Sequence, residues 1–260
     1  ISLFAGIGGG PVLGGFFLDL WGQNSAFYAM ALLSIVSMVL VSALLPKQEG
    51  NRIKDRKGSM LAVFRLMLKS SRVMGMLLSR MATMIIMIPS IAFLPILMQK
   101  TMNATGLEIG LVVTCRTLVN AVMQIPFGKL ADRRQKHLLI LIGSTVISLG
   151  MLLVPSAPSV VTLMILFAMI GLGEAIVWPS LGALATEEGR TYGQGSMMGV
   201  FNMSMSAGLF VGSMGVGSLM DIFGIAWAFY CVALILFAST VAAVIMIGPS
   251  PVREQEKMSS

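Results

Sequence analysis

Residues 5–32 read AGIGGGPVLGGFFLDLWGQNSAFYAMAL, and residues 207–234 read AGLFVGSMGVGSLMDIFGIAWAFYCVAL. Laid over one another at a shift of 202 positions, the two stretches agree at eleven places. Ala5, Gly6, Gly10, Gly15, Asp19, Gly22, Ala26, Phe27, Tyr28, Ala31 and Leu32 fall on Ala207, Gly208, Gly212, Gly217, Asp221, Gly224, Ala228, Phe229, Tyr230, Ala233 and Leu234. Roughly two or three identities would arise by chance in such a composition. Each copy is a Gly-rich apolar run, a break at Asp-x-x-Gly and a second apolar run. The chain therefore contains an internal repeat of paired hydrophobic segments.

The rest of the chain shows what those segments are. Of its 260 residues, 56% are apolar and 11% are charged, against about a quarter charged in soluble domains. A bilayer core of about 30 Å requires roughly 20 consecutive apolar residues per helix. Runs of about that length occupy residues 1–17, 22–45, 73–98, 106–130, 137–154, 160–185, 195–219 and 224–247. The expectation is an all-α integral membrane chain of eight transmembrane helices.

Basic residues orient the spans, because Lys and Arg accumulate in cytoplasmic loops. Lys47, Arg52, Lys54, Arg56, Lys57, Arg65, Lys69 and Arg72 lie between the second and third spans. Lys129, Arg133, Arg134 and Lys136 follow the fourth span, Arg190 follows the sixth, and Arg253 and Lys257 end the chain. The opposite gaps contain only Lys100. These basic gaps and the C-terminus are expected on the cytoplasmic side of a plasma (inner) membrane. The net charge of +7 thus belongs to topology, and no aromatic–basic interleaving marks a nucleic-acid face.

In the repeat, the first span corresponds to the seventh and the second to the eighth, six helices apart in parallel orientation. Two six-helix halves related by an axis along the membrane normal form a known transporter plan. The first two spans would then end one half, residues 1–46. Residues 47–72 would be a basic cytoplasmic linker, 73–248 a complete second half and 249–260 a tail. The chain opens at Ile1 inside an apolar run, with no Met and no basic segment before it, so it reads as neither a signal peptide nor a natural start. The expectation is a piece of a twelve-helix protein whose first four helices precede it.

Two motifs carry a more specific resemblance. Gly128-Lys129-Leu130-Ala131-Asp132-Arg133-Arg134-Gln135-Lys136 resembles the cytoplasmic motif A of the major facilitator superfamily, Gly-x-Leu-Ala-Asp-Arg-x-Gly-Arg-Lys, with Gln135 where the family favours Gly. Gly6, Gly10, Pro11, Gly14 and Gly15 resemble motif C, which is characteristic of proton-coupled antiporters and especially drug exporters. The resemblance implies a conformational latch at Gly128, Asp132, Arg133 and Lys136. Its partner would lie near the cytoplasmic start of the first span. The alternative reading makes Asp132 a solvated acid that neutralises its neighbours. Gly6, Gly10 and Gly14 recur every four residues and so share a helix face, which admits close backbone approach. Pro11 permits a bend. The face is either static packing or an interface sliding between halves.

Charges inside apolar runs are the remaining signal, since each costs at least about 2.5 kcal/mol at mid-bilayer. There are three: Arg80, Arg116 and Glu174. At about 1.5 Å per residue, Arg116 and Glu174 both fall near mid-depth, with Arg80 in the cytoplasmic half. Glu174 follows Gly171-Leu172-Gly173, glycines that would thin the helix and admit water or substrate. The three are candidates for substrate binding or proton coupling. The competing reading is a buried structural pair of Glu174 with Arg116 or Arg80.

Other classes find little support. The single His, His137, lies at a loop edge, and no catalytic constellation accompanies it, so an enzyme is not expected. The cytoplasmic segments are too short for a sensor domain. Cys115 and Cys231 lie in apolar runs as packing residues, and most of the 23 methionines are apolar filler. No metal, nucleotide or haem site is visible, and no cofactor is expected. The expected function is proton-coupled export of small apolar or amphipathic compounds by alternating access. A carrier for organic anions or other metabolites, with Arg80 and Arg116 as substrate ligands, is the alternative. The expected partners are the small-molecule substrate, protons, the lipid bilayer and the preceding N-terminal helices.

Overall fold

The computed structural model describes residues 23–44 and 60–248. These divide between two units, residues 1–58 and 59–260. In the first, α1 (Gln23–Leu44) is an uninterrupted helix without a charged residue. Its hydroxyls turn back on the helix, Ser34 Oγ donating to Met30 O and Ser42 Oγ to Val39 O, each at 2.9 Å. Hydroxyls so satisfied are compatible with hydrocarbon, where a backbone or side-chain polar group finds no water.

The second unit begins with α2 (Met60–Lys69), inside the stretch expected to be a linker. It is amphipathic: Met67 is fully buried, while Arg65 and Lys69 are exposed. Ser70 then caps α3 (Ser71–Ile85), its hydroxyl accepting from Val73 N at 3.4 Å. The third span was expected as one helix over 73–98, and the structure corrects this. It runs from Ser71 to Met102 and is interrupted by a π-helical turn at Pro89–Phe93 before α4 (Leu94–Met102). Pro89 has no N–H to donate, so the regular ladder breaks there and the wider turn absorbs the offset.

Thr105 and Glu108 form a reciprocal capping box that starts α5 (Gly106–Arg133), a sequence-local signal for a helix N-terminus. Next come α6 (Lys136–Leu153), α7 (Val160–Tyr192), α8 (Gln194–Phe223) and α9 (Ile225–Ile247). Single glycines with positive φ join the last three, Gly193 at 95° and Gly224 at 91°. Only glycine takes such a conformation without steric cost, and there it lets one membrane helix reverse directly into the next. Seven helices of the described residues are long and apolar enough to cross a membrane. They correspond to the second to eighth expected spans. The first span, most of the linker and the tail lie outside the described residues.

Helix α7 organises the second unit, packing most extensively on α5 and α6, while α9 packs on α3 and α6 and α8 on α3. Glycines set several of these distances. A Cβ on Gly173 would come within 2.7 Å of Gly143 O, and one on Gly143 within 2.8 Å of Gly173 O. A Cβ on Gly171 would strike the carbonyl oxygen of Arg116. The expectation that the glycines before Glu174 admit water or substrate is therefore not met. The backbones of α5 and α6 occupy that space. In the repeat, a Cβ on Gly208 would strike Met81 O, and one on Gly212 would come within 3.1 Å of Ile85 Cα. Both seat α8 on α3.

Candidate functional site

The close approach of α5 and α7 at Gly171 brings two intramembrane charges together. Arg116 donates through Nε to Glu174 Oε2 at 3.0 Å, and through Nη2 to Glu174 Oε1 in a shorter bond. The pair is thus bidentate, the strongest guanidinium–carboxylate arrangement. Asn120 lies one turn along α5 and donates from Nδ2 to Glu174 Oε2 at 3.2 Å. Arg116 Nη2 also points at Met87 Sδ, 3.3 Å away. Exposure is 6% for Arg116, 2% for Asn120 and 4% for Glu174. Asn120 Oδ1 is buried without a partner, so the cluster retains one unused acceptor.

Arg80 on α3 does not join this pair. Its guanidinium carbon lies 4.9 Å from the ring centre of Phe201 and 5.5 Å from that of Trp178. Nη2 lies 3.2 Å from Met205 Sδ. Trp178 is one turn beyond Glu174 on α7, so the clamp and the ion pair occupy successive turns of one helix. Of the two pairings open in the sequence, the structure takes Glu174 with Arg116.

The motif-A residues occupy a helix–helix corner. Gly128, Asp132 and Arg133 belong to the last two turns of α5, and Lys136 is the first residue of α6. Asp132 and Arg133 are exposed, and neither has an ion-pair partner among the described residues. A Cβ on Gly128 would meet nothing within 4 Å. Lys136 turns inward, with Nζ 2.6 Å from Glu187 Oε1. Arg72 reaches Glu187 Oε2 at 3.1 Å and Glu188 Oε1 at 2.9 Å. These ion pairs tie the starts of α3 and α6 to the end of α7. Gly6, Gly10, Pro11, Gly14 and Gly15 lie outside the described residues.

Sequence reasoning missed Asn120, Trp178, Phe201, Met87 and Met205. Asn120 had a usable signal, being the amide one helical turn from Arg116 in an otherwise apolar run. The others look like ordinary membrane side chains and gain meaning only from the charges they face.

A sequence model of the Major Facilitator Superfamily matches residues 73–259, from the start of the third span into the tail. The chain belongs to the major facilitator superfamily. Membership of this transporter family accords with the multi-pass all-α architecture and sets the chain apart from enzymes. It is 29% identical over 229 residues to an uncharacterized MFS-type transporter of Methanocaldococcus jannaschii, a match covering 86% of this chain and 58% of that protein. It is 24% identical over 174 residues to the multidrug resistance protein MdtG of Proteus mirabilis, covering 65% of this chain and 43% of MdtG. A further MFS-type transporter, YfnC of Bacillus subtilis, is 34% identical over 88 residues, 34% of this chain and 21% of YfnC. The chain thus spans about half the length of the first two relatives.

Proposed function

We propose that this chain forms part of a proton-coupled exporter of small amphipathic compounds. In this reading it works by alternating access between two six-helix halves in the plasma (inner) membrane, with the C-terminus in the cytoplasm and four further helices preceding Ile1. The observation that carries the reading is Glu174, a buried carboxylate held by Arg116 and Asn120. An intramembrane ionisable group is costly and is by default a candidate for an ion or proton pathway. A proton on Glu174 would remove the charge that holds the Arg116 fork and shift the balance between two arrangements of α5 and α7. The likeness to a protein named for multidrug resistance supports export of amphipathic compounds. The resemblance of Gly6, Gly10, Pro11, Gly14 and Gly15 to motif C supports antiport, with the Asp132 segment as the cytoplasmic latch.

The test is flux of fluorescent amphipathic dyes through the reconstituted full-length protein, with and without a proton gradient. Glu174→Gln alone strands a buried guanidinium, so the double substitution Arg116→Gln with Glu174→Gln accompanies it. Removing both charges of a buried pair restores much of the stability lost on removing one. The expected result is a stable double variant that exchanges dye downhill and gains nothing from the gradient. Gradient-driven flux equal to wild type in that variant would remove Glu174 from coupling.

A further inference from the structure

Arg116 and Arg80 are both intramembrane guanidiniums, but their surroundings differ. The fork of Arg116 is filled by Glu174. Arg80 has no carboxylate partner among the described residues, its Nε is buried without an acceptor, and its Nη2 faces only the thioether of Met205. A thioether sulfur is a weak acceptor. The faces of Trp178 and Phe201 supply cation–π attraction, which offsets part of the desolvation of the charge and leaves its N–H donors unspent. The side chain as a whole is half-buried while Nε is enclosed, so a ligand would meet the guanidinium at its terminal nitrogens. Three helices converge on it, α3 with Arg80, α7 with Trp178, and α8 with Phe201 and Met205. A planar donor fork between aromatic faces suits a ligand that joins an anionic group to an apolar body.

We propose that Arg80, clamped by Trp178 and Phe201, recognises the anionic group of the transported compound, which is an organic anion with an aromatic or other apolar body. The proposal rests on the transporter reading above and narrows its substrate class. It assigns recognition to Arg80 alone, because Arg116 is already neutralised.

The test is equilibrium binding to the full-length protein in a zwitterionic detergent, with three probes that share one apolar body: 1-naphthoate, 1-naphthylmethanol and 1-naphthylmethylammonium. No gradient is present, so a failure of Glu174 to couple protons leaves this measurement untouched. Wild type is expected to prefer naphthoate. Arg80→Gln should weaken naphthoate by about tenfold or more, the scale of a lost charge-assisted hydrogen bond, while leaving the ammonium compound equal or tighter. Arg80→Lys keeps the charge without the planar fork. It should retain the order of preference at reduced affinity, and it carries the test if the Gln variant fails to fold. Equal weakening of all three probes, unchanged naphthoate binding in Arg80→Gln, loss of anion preference in a folded Arg80→Lys, or a wild type that prefers the ammonium compound would each overturn the proposal. Nanodiscs of phosphatidylcholine with and without phosphatidylglycerol separate the other source of an anion. Competition by the anionic lipid in wild type and not in Arg80→Gln would make the clamp a headgroup site and overturn recognition of a transported compound.

Discussion

Truncating Arg116 to Ala leaves the Glu174 carboxyl buried with Asn120 as its remaining donor. Breaking a buried pair in this way costs about 3–5 kcal/mol, and the expected outcome is a large fall in thermal stability in detergent. The glycines beside the pair make a second residue-scale prediction. Gly171→Ala forces a methyl into the Arg116 carbonyl, whereas Gly128→Ala points into open space. Overpacking typically costs about 1–3 kcal/mol, so Gly171→Ala should lower the unfolding temperature clearly and Gly128→Ala should leave it within error. Equal effects would mean that α5 and α7 do not approach at Gly171. The three intramembrane charges were legible in sequence because they interrupt apolar runs. Their pairing was not, because it depends on how α5 and α7 are rotated about their axes. A glycine next to a charge reads equally as an opening or as a close contact, and only the neighbouring backbone decides between them.

At the scale of elements, the corner from α5 to α6 separates two jobs that the sequence presented as one motif. Lys136 is committed to Glu187, while Asp132 stands exposed and unpaired among the described residues. Asp132→Asn should therefore leave thermal stability within about 0.5 kcal/mol, as exposed substitutions usually do. The same variant should slow transport by the full-length protein if the carboxylate latches one conformation. Wild-type flux would return Asp132 to the role of a solvated acid. The capping box at Thr105 and the glycine turns were readable from local sequence, since the residues that make them are adjacent. The run of α7 to Tyr192 was less so: Glu187, Glu188 and Arg190 look like a loop until Arg72 and Lys136 arrive from two other helices to meet the acids. The break at Pro89 was visible in principle, but hydropathy measures length and is blind to an interrupted ladder.

For the whole molecule, periodic apolar runs and the 202-residue repeat made the all-α membrane class plain. The positive-inside pattern also leads to an expected orientation that solution chemistry can check. A cysteine at Ser59 should react with an impermeant thiol reagent only from the cytoplasm, and one at Ser156 only from outside. Reaction of both from one side would contradict the helix count between them. What sequence could not give was the division of labour among the three charges, with one pair neutralised between α5 and α7 and one cation left in an aromatic clamp. In the proposed mechanism Glu174 is the group whose proton is exchanged for substrate. The most direct measurement of that exchange is the number of protons released per molecule bound, read with a pH indicator in weakly buffered detergent solution. The full-length protein is titrated with whichever naphthyl probe it binds. Wild type is expected to release protons on binding, and the stable double variant Arg116→Gln with Glu174→Gln to bind the probe while releasing none. Undiminished proton release by that double variant would rule out Glu174 as the exchanging group.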